Sequence, residues 1–144
     1  MTLEGKVRMQ MKHRWIGSLT VALSALLAWP VMAHHSFSAE FDASQPITLK
    51  GIVTRIDWTN PHVWFYINVK DNAGAVTRWG LEMGAPHQLQ TRGWLRDTMK
   101  IGDEITVQGS LARDGSKRAN ARTVIAADGR KLGAASSEGN SSPQ

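Results

Sequence analysis

The stretch His62-Val63-Trp64-Phe65-Tyr66-Ile67-Asn68-Val69 decides the fold. Val63, Phe65, Ile67 and Val69 fall on one face of an extended chain, and His62, Trp64, Tyr66 and Asn68 on the other. Two-residue periodicity in a run rich in β-branched and aromatic side chains predicts a half-buried strand and excludes a helix. Thr59-Asn60-Pro61 in front of it reads as a loop, because proline donates nothing to a ladder and disfavours helical geometry at Asn60. Asp71-Asn72-Ala73-Gly74 behind it reads as a hairpin turn into a third strand, Val76 to Met83.

Upstream, the alternation of Ile47, Leu49 and Gly51 predicts a first strand from Pro46. The pattern then slips, so that Ile52, Ile56 and Trp58 share a face opposite Val53, Arg55 and Asp57. A glycine at such a slip suggests a β-bulge at Gly51 that bends a long strand. Downstream, Pro86 suits the first turn of a short helix running to Arg92, and Gly93 stops it. Trp94 and Leu95 are expected to pack this connection against the barrel. Strands follow at Glu104–Ala112 and Ala119–Ala126, joined by Arg113-Asp114-Gly115-Ser116. The order β-β-β-α-β-β predicts an all-β protein with one short helix, an OB-fold-like five-stranded antiparallel barrel over residues 46–132. A generic five- or six-stranded antiparallel barrel or sandwich is the rival architecture. From Gly133 the Gly, Ala, Ser, Asn and Gln composition predicts a disordered tail, 133–144.

At the start of the chain, Lys12-His13-Arg14 precedes an uncharged run from Trp15 to Ala33. Pro30 breaks it, and Val31-Met32-Ala33 sets small residues at a cleavage site before His34. That is the grammar of a secretory signal, residues 1–33, with Met11 the more usual start than Met1. Gly17, Ser18, Thr20, Ser24 and Pro30 weaken the alternative of an uncleaved anchor. The expectation is a periplasmic protein cleaved after Ala33, touching membrane only through its signal, with a mobile arm over residues 34–45.

Composition bounds the chemistry. The 144 residues carry 17 Lys+Arg, 12 Asp+Glu, five His and no Cys. Lack of cysteine excludes a disulfide scaffold, a thiol nucleophile, a thiolate zinc site and an iron–sulfur cluster. The net charge of +5 depends much on Lys6, Arg8, Lys12 and Arg14 in the signal. What remains is weakly charged, which argues against nucleic acid as a partner. Arg113, Lys117, Arg118 and Arg122 make only a local basic patch, of the kind that meets solvent or an anionic partner. No nucleophile elbow, phosphate loop or dinucleotide fingerprint occurs.

Three features mark the chain: His34-His35-Ser36-Phe37, Trp58-Thr59-Asn60-Pro61-His62-Val63-Trp64, and Arg92-Gly93-Trp94. With Glu82-Met83-Gly84 and the Gly102-Asp103 and Asp114-Gly115 turns, they resemble a proteobacterial family of small exported proteins classed only as a domain of unknown function. The resemblance covers residues 34 to 132. It implies an exported OB-like barrel and assigns no activity.

The candidate ligand-binding residues are Trp58, Asn60, His62, Trp64 and Tyr66, because OB-folds take ligands on the second and third strands and the loops that rim them. Trp58, Trp64, Trp79 and Trp94 are equally suited to capping a small barrel. Glu82 is the carboxylate to watch, at the end of strand three beside the helix start. His62 and Tyr66 also form a His-x-x-x-Tyr pattern reminiscent of a haem-chaperone OB-fold. Residues four apart on a strand lie about 13 Å apart, too far to share one iron.

Cleavage before His34 would give it a free α-amine beside its imidazole, a chelating pair that suits copper. A further imidazole would come from His35, His62 or His87, so these four are the candidate metal ligands. The leading expectation is a non-catalytic periplasmic binding or accessory protein for a small ligand, metal or protein partner. The alternative is a copper-binding protein or copper enzyme built on His34. Single-stranded nucleic-acid binding, which the fold alone would suggest, ranks last.

Overall fold

The computed structural model describes residues 37–140. A helical turn at 37–40 leads into β1 (Phe41–Asp57), followed by β2 (Trp64–Lys70), β3 (Val76–Glu82), helix α1 (Pro86–Gln90), β4 (Glu104–Ala112), β5 (Arg118–Ile125) and β6 (Lys131–Gly133). A 3-10 turn, Ser137–Asn140, ends the described chain. The sheet order is β3-β2-β1-β4-β5-β6, and β3 also pairs with β5, which closes β1 to β5 into a ring. The fold is all-β with one short helix, as the alternation predicts, with a sixth strand added outside the ring.

Closure does not follow the expected all-antiparallel pattern. Gly80, Leu81 and Glu82 of β3 run parallel to Arg118, Ala119 and Asn120 of β5. The reason is topological. Every other neighbour in the ring is antiparallel, and strand directions cannot alternate all the way round an odd-membered ring.

β1 serves two neighbours. Its middle pairs with β4 through Pro46 to Ile52, and its end pairs with β2 through Ile52 to Asp57. The expected bulge at Gly51 lies elsewhere. Leu49, Gly51 and Val53 continue one buried face, Ile52 is 41 % exposed, and the register with β2 shifts between Val53 and Arg55. The bulged residue is Thr54, whose hydroxyl donates to the Tyr66 carbonyl at 3.2 Å. Beyond the bulge, Ile56 and Trp58 pack against the core on the side of Val53, whereas Ile52, expected on their face, points away. Gly51 has a different task. A Cβ there would stand 2.5 Å from the Asn68 carbonyl oxygen, so glycine permits the close approach of β1 to β2.

Val63, Phe65 and Ile67 supply the centre of the core, with Leu81 from β3, Ile105 and Val107 from β4, and Val124 from β5. Met83, Leu89, Trp94 and Met99 join it from the β3–β4 connection. The helix is shorter than expected and ends at Gln90; Arg92 and Gly93 turn back to the Leu89 and Gln90 carbonyls, with Gly93 at φ 87°. Trp94 is buried and its indole N–H donates to the Gly133 carbonyl at 2.9 Å. Leu95, expected to pack beside it, is 65 % exposed.

The two ends differ most from expectation. The segment expected as a mobile arm is structured from Phe37. Phe37 and Phe41 stack 5.7 Å apart and bury themselves with Ala112 and Trp64, while the Arg113 guanidinium donates to the Ser38 and Phe41 carbonyls. The tail expected from Gly133 instead forms the end of β6, a buried Ala134-Ala135 pair and the 3-10 turn. Ala134 donates to the Arg122 carbonyl and accepts from Gly84. This segment is held by completing hydrogen bonds and fitting small side chains, not by apolar bulk. His34 and His35, the signal segment and residues 141–144 lie outside the described residues.

Candidate functional site

The site grows out of the β1–β2 loop. Val63 is fully buried, donates to the Gly84 carbonyl and accepts from Met83, so the loop is anchored before β2 begins. The Asn60–Pro61 bond is cis. His62 projects just ahead of the strand, next to the anchored Val63 and across from Glu82 at the end of β3.

The His62 Nδ1 hydrogen-bonds Glu82 Oε1. His62's side chain is 35 % exposed and Glu82's only 10 %. With a carboxylate as acceptor, the neutral ring is assigned its proton on Nδ1, which leaves Nε2 as a lone-pair donor. Among the described residues no hydrogen bond engages Nε2. Glu82 Oε2 accepts from Asn120 Nδ2 at 3.2 Å, and Asn120 Oδ1 accepts from the Ser136 hydroxyl. Glu138 continues the network: its backbone N–H reaches Ser136 at 3.1 Å, and its carboxylate takes Ser110 at 2.8 Å and Arg122 at 3.1 Å. Every fully buried side-chain polar atom among the described residues has a partner.

His62 and Glu82 open into a cavity of about 420 Å³. Phe37 and Glu40 line it from the leading turn, Thr59 to Pro61 from the loop, Trp64 from β2 and Ser137 from the C-terminal turn. Two carboxylates and one imidazole are its titratable groups among the described residues, and no Lys or Arg of those residues lines it. The chemistry on offer is a carboxylate-oriented imidazole nitrogen in an acidic setting. It can accept a hydrogen bond or fill one position on a metal ion. A nucleophile held by the imidazole is not among the described hydrogen bonds.

A second concavity, about 480 Å³, shares Trp64 and Thr59 with the first. Tyr66, Arg78, Gly80, Lys117, Arg118 and Asp57 complete it. The Arg55 and Arg78 guanidinium carbons lie 5.3 and 4.8 Å from the Tyr66 ring centroid. A hydrogen bond to Asp57, and then that residue's charge, raise Arg55 above the ordinary guanidinium range. Hydrogen bonds from Ser116 and then from Arg118 lower Asp114 to about 2. A third cavity of about 260 Å³, between Trp94, Ile105, Val124 and Leu132, contains none of the candidate residues.

Of the residues singled out in the sequence, Asn60, His62 and Trp64 meet at the first cavity, and Trp64 and Tyr66 at the second. Trp58 lines neither and packs against the core. His87 is exposed on α1. His34 and His35 lie outside the described residues. No three His, Asp or Glu side chains among the described residues converge in a metal-binding group. Glu82 is singled out in the sequence but not assigned a partner; the pairing with His62 is long-range and no spacing announces it. Arg78 goes unremarked, although it sits on β3 two residues before Gly80, the register partner of Tyr66.

The fold and this geometry define a small all-β protein, a closed ring of strands with one short helix and two concavities flanking one tryptophan. More particularly, the chain belongs to a family of unknown function, DUF6152, whose sequence profile matches residues 22–121. The match includes the last part of the segment read as a signal and runs into β5. No curated protein matches the chain.

Proposed function

We propose that this chain is an exported, non-catalytic binding protein that holds a small ligand in the acidic cavity beside His62. One observation carries the reading. A half-exposed imidazole is held in place by a largely buried carboxylate, with its other nitrogen unengaged among the described residues, at a cavity of about 420 Å³. That volume falls in the range of small-molecule sites, about 300–1,000 Å³. Export rests on the signal-like residues 1–33 and on the resemblance to a proteobacterial family of exported proteins. A chain of intact mass beginning at His34 in a periplasmic extract supports export; full-length protein in the cytoplasm overturns it.

A second reading, copper binding through the mature amine and imidazole of His34, is favoured by the same pair. Metal-ligating histidines commonly give their other ring N–H to a carboxylate, as His62 gives Nδ1–H to Glu82. Titration with Cu(II), followed by the visible d–d band, tests both readings. Binding lost on adding one residue ahead of His34 supports the copper reading. Binding indifferent to that extension but lost in His62→Ala supports a site centred on the cavity. Binding indifferent to both assigns it to incidental imidazoles.

A further inference from the structure

We infer that the concavity on the Tyr66 side of Trp64 is a separate binding site for a small organic anion with a flat face, an acidic sugar or an aromatic acid. The inference does not use His62 and stands or falls apart from the cavity reading.

Charge bookkeeping on this face is uneven. Arg55 is held by Asp57 at 2.8 Å, and Arg118 by Asp114 at 2.7 Å and the Ser116 hydroxyl at 3.0 Å. Arg78 and Lys117 have no carboxylate partner among the described residues. Arg55, Arg78 and Arg118 thus gather around Tyr66, and Lys117 lines the same concavity although its ammonium lies over Trp79, a core residue on the other face of β3. An anion reaching Arg78 need not break an existing ion pair.

The unmatched cations are also positioned. The Arg78 guanidinium sits over Tyr66 at 4.8 Å and the Lys117 ammonium over Trp79 at 5.3 Å. Cation–π contacts of this kind restrict long side chains before a ligand arrives, which lowers the entropy lost on binding. Arg78 presents a planar set of donors, suited to carboxylate or phosphate.

The surface between these cations is flat. Gly80 is the register partner of Tyr66, and a Cβ there would lie 3.3 Å from the Tyr66 ring and 3.8 Å from Arg118 Cγ. Glycine therefore lets the phenol lie close over β3. Trp64 follows two residues away on the same face of β2. An apolar ring stacks on such a surface while its anionic group reaches the guanidinium. The concavity, about 480 Å³, accommodates one small molecule. Two unmatched cations are too few to track the backbone of a polyanion.

Phenyl phosphate, glucuronate, inorganic phosphate, benzyl alcohol and a single-stranded oligonucleotide serve as probes, with binding followed by Trp fluorescence and amide shifts. Phenyl phosphate or glucuronate is expected to bind about tenfold or more tighter than inorganic phosphate or benzyl alcohol, since only those two offer both charge and a flat face. Whichever of the two binds better names the source. The Arg78→Ala/Lys117→Ala double variant is expected to lose about tenfold or more, with its thermal midpoint unchanged because both side chains are exposed. His62→Ala is expected to bind as the wild type does. The proposal is overturned by inorganic phosphate binding as well as the ring-bearing anions, by no binding at millimolar concentration, or by indifference to the double variant. Oligonucleotide binding that is tighter and more salt-dependent also overturns it, in favour of a polyanion track.

Discussion

The two faces of β2 and its lead-in make an instructive pair. Val63, Phe65 and Ile67 are fully enclosed and form the centre of the core. His62, Trp64 and Tyr66 alternate with them, remain partly exposed, and line the two concavities. Backbone pleating alone separates the two sets. The packed side fixes where the open side points, so the open side can carry chemistry with little cost to the fold. Substitutions on the two faces should accordingly fall into different classes.

The largest effect is expected inside. Phe65→Ala removes a ring with no solvent contact, and should cost about 3–5 kcal/mol in chemical denaturation. For a domain with about 5–15 kcal/mol of total stability, that is a large share. A loss below about 1 kcal/mol, in the range of surface changes, would mean that the two faces are not energetically distinct.

Next comes Asn120, which belongs to neither face but supports the open one. It is 2 % exposed and joins Glu82 to Ser136. Asn120→Ala leaves Glu82 Oε2 and the Ser136 hydroxyl short of a partner, an expected cost of about 1–3 kcal/mol. Because Ser136 also accepts from Glu138, protease sensitivity near residues 134–138 should rise with it. Unchanged sensitivity there would show that the C-terminal segment is held by its backbone bonds alone.

How much of this could be read in the sequence follows from which interactions are local. The inward and outward sets of β2 are legible because alternation is a property of adjacent residues. The alternation points to a bulge at Gly51 and the bulge lies at Thr54, because what fixes it is a hydroxyl reaching the Tyr66 carbonyl, a contact between residues twelve apart. Gly51 marks a close approach instead, which in sequence looks the same as a bulge. The residues from 133 onward look unable to fold by composition, since composition registers apolar bulk and not hydrogen bonds to Arg122, Asn120 and Ser110. His62 could be singled out by its position after a proline loop. Its partner Glu82 could be noticed but not paired, since only the ring of strands brings the two together.

On the open face, His62→Ala should cost less than about 1 kcal/mol, because Glu82 keeps its bond from Asn120 and gains access to water through the cavity. The same change should abolish whatever binding the cavity supports. Thermal melts alongside Cu(II) titration measure both. A drop of a few kcal/mol with binding intact would make His62 a structural residue and remove the assignment of this cavity.

The smallest effect, and the sharpest control, concerns Asp114, which touches neither face of β2 but restrains Arg118 beside Tyr66. Ser116 and Arg118 hold its carboxyl at about 2, against an ordinary value of 3.8. A folded-state value below the unfolded one means that this carboxylate stabilises the fold above 3.8 and ceases to do so as pH falls through about 2. Asp114→Asn should therefore unfold slightly more easily than wild type at neutral pH, with the gap closing as acid is added across that window. The gap should shrink with salt, because the pair is exposed. The Asn amide oxygen can still accept from the Ser116 backbone N–H, now bonded at 2.9 Å, so the turn survives. What changes is Arg118, which loses its carboxylate and becomes a third unmatched cation at the Tyr66 concavity. Phenyl phosphate affinity should then rise at low salt while Cu(II) binding at the His62 cavity stays constant. If both move together, Trp64 is coupling the two concavities, and they are parts of one site.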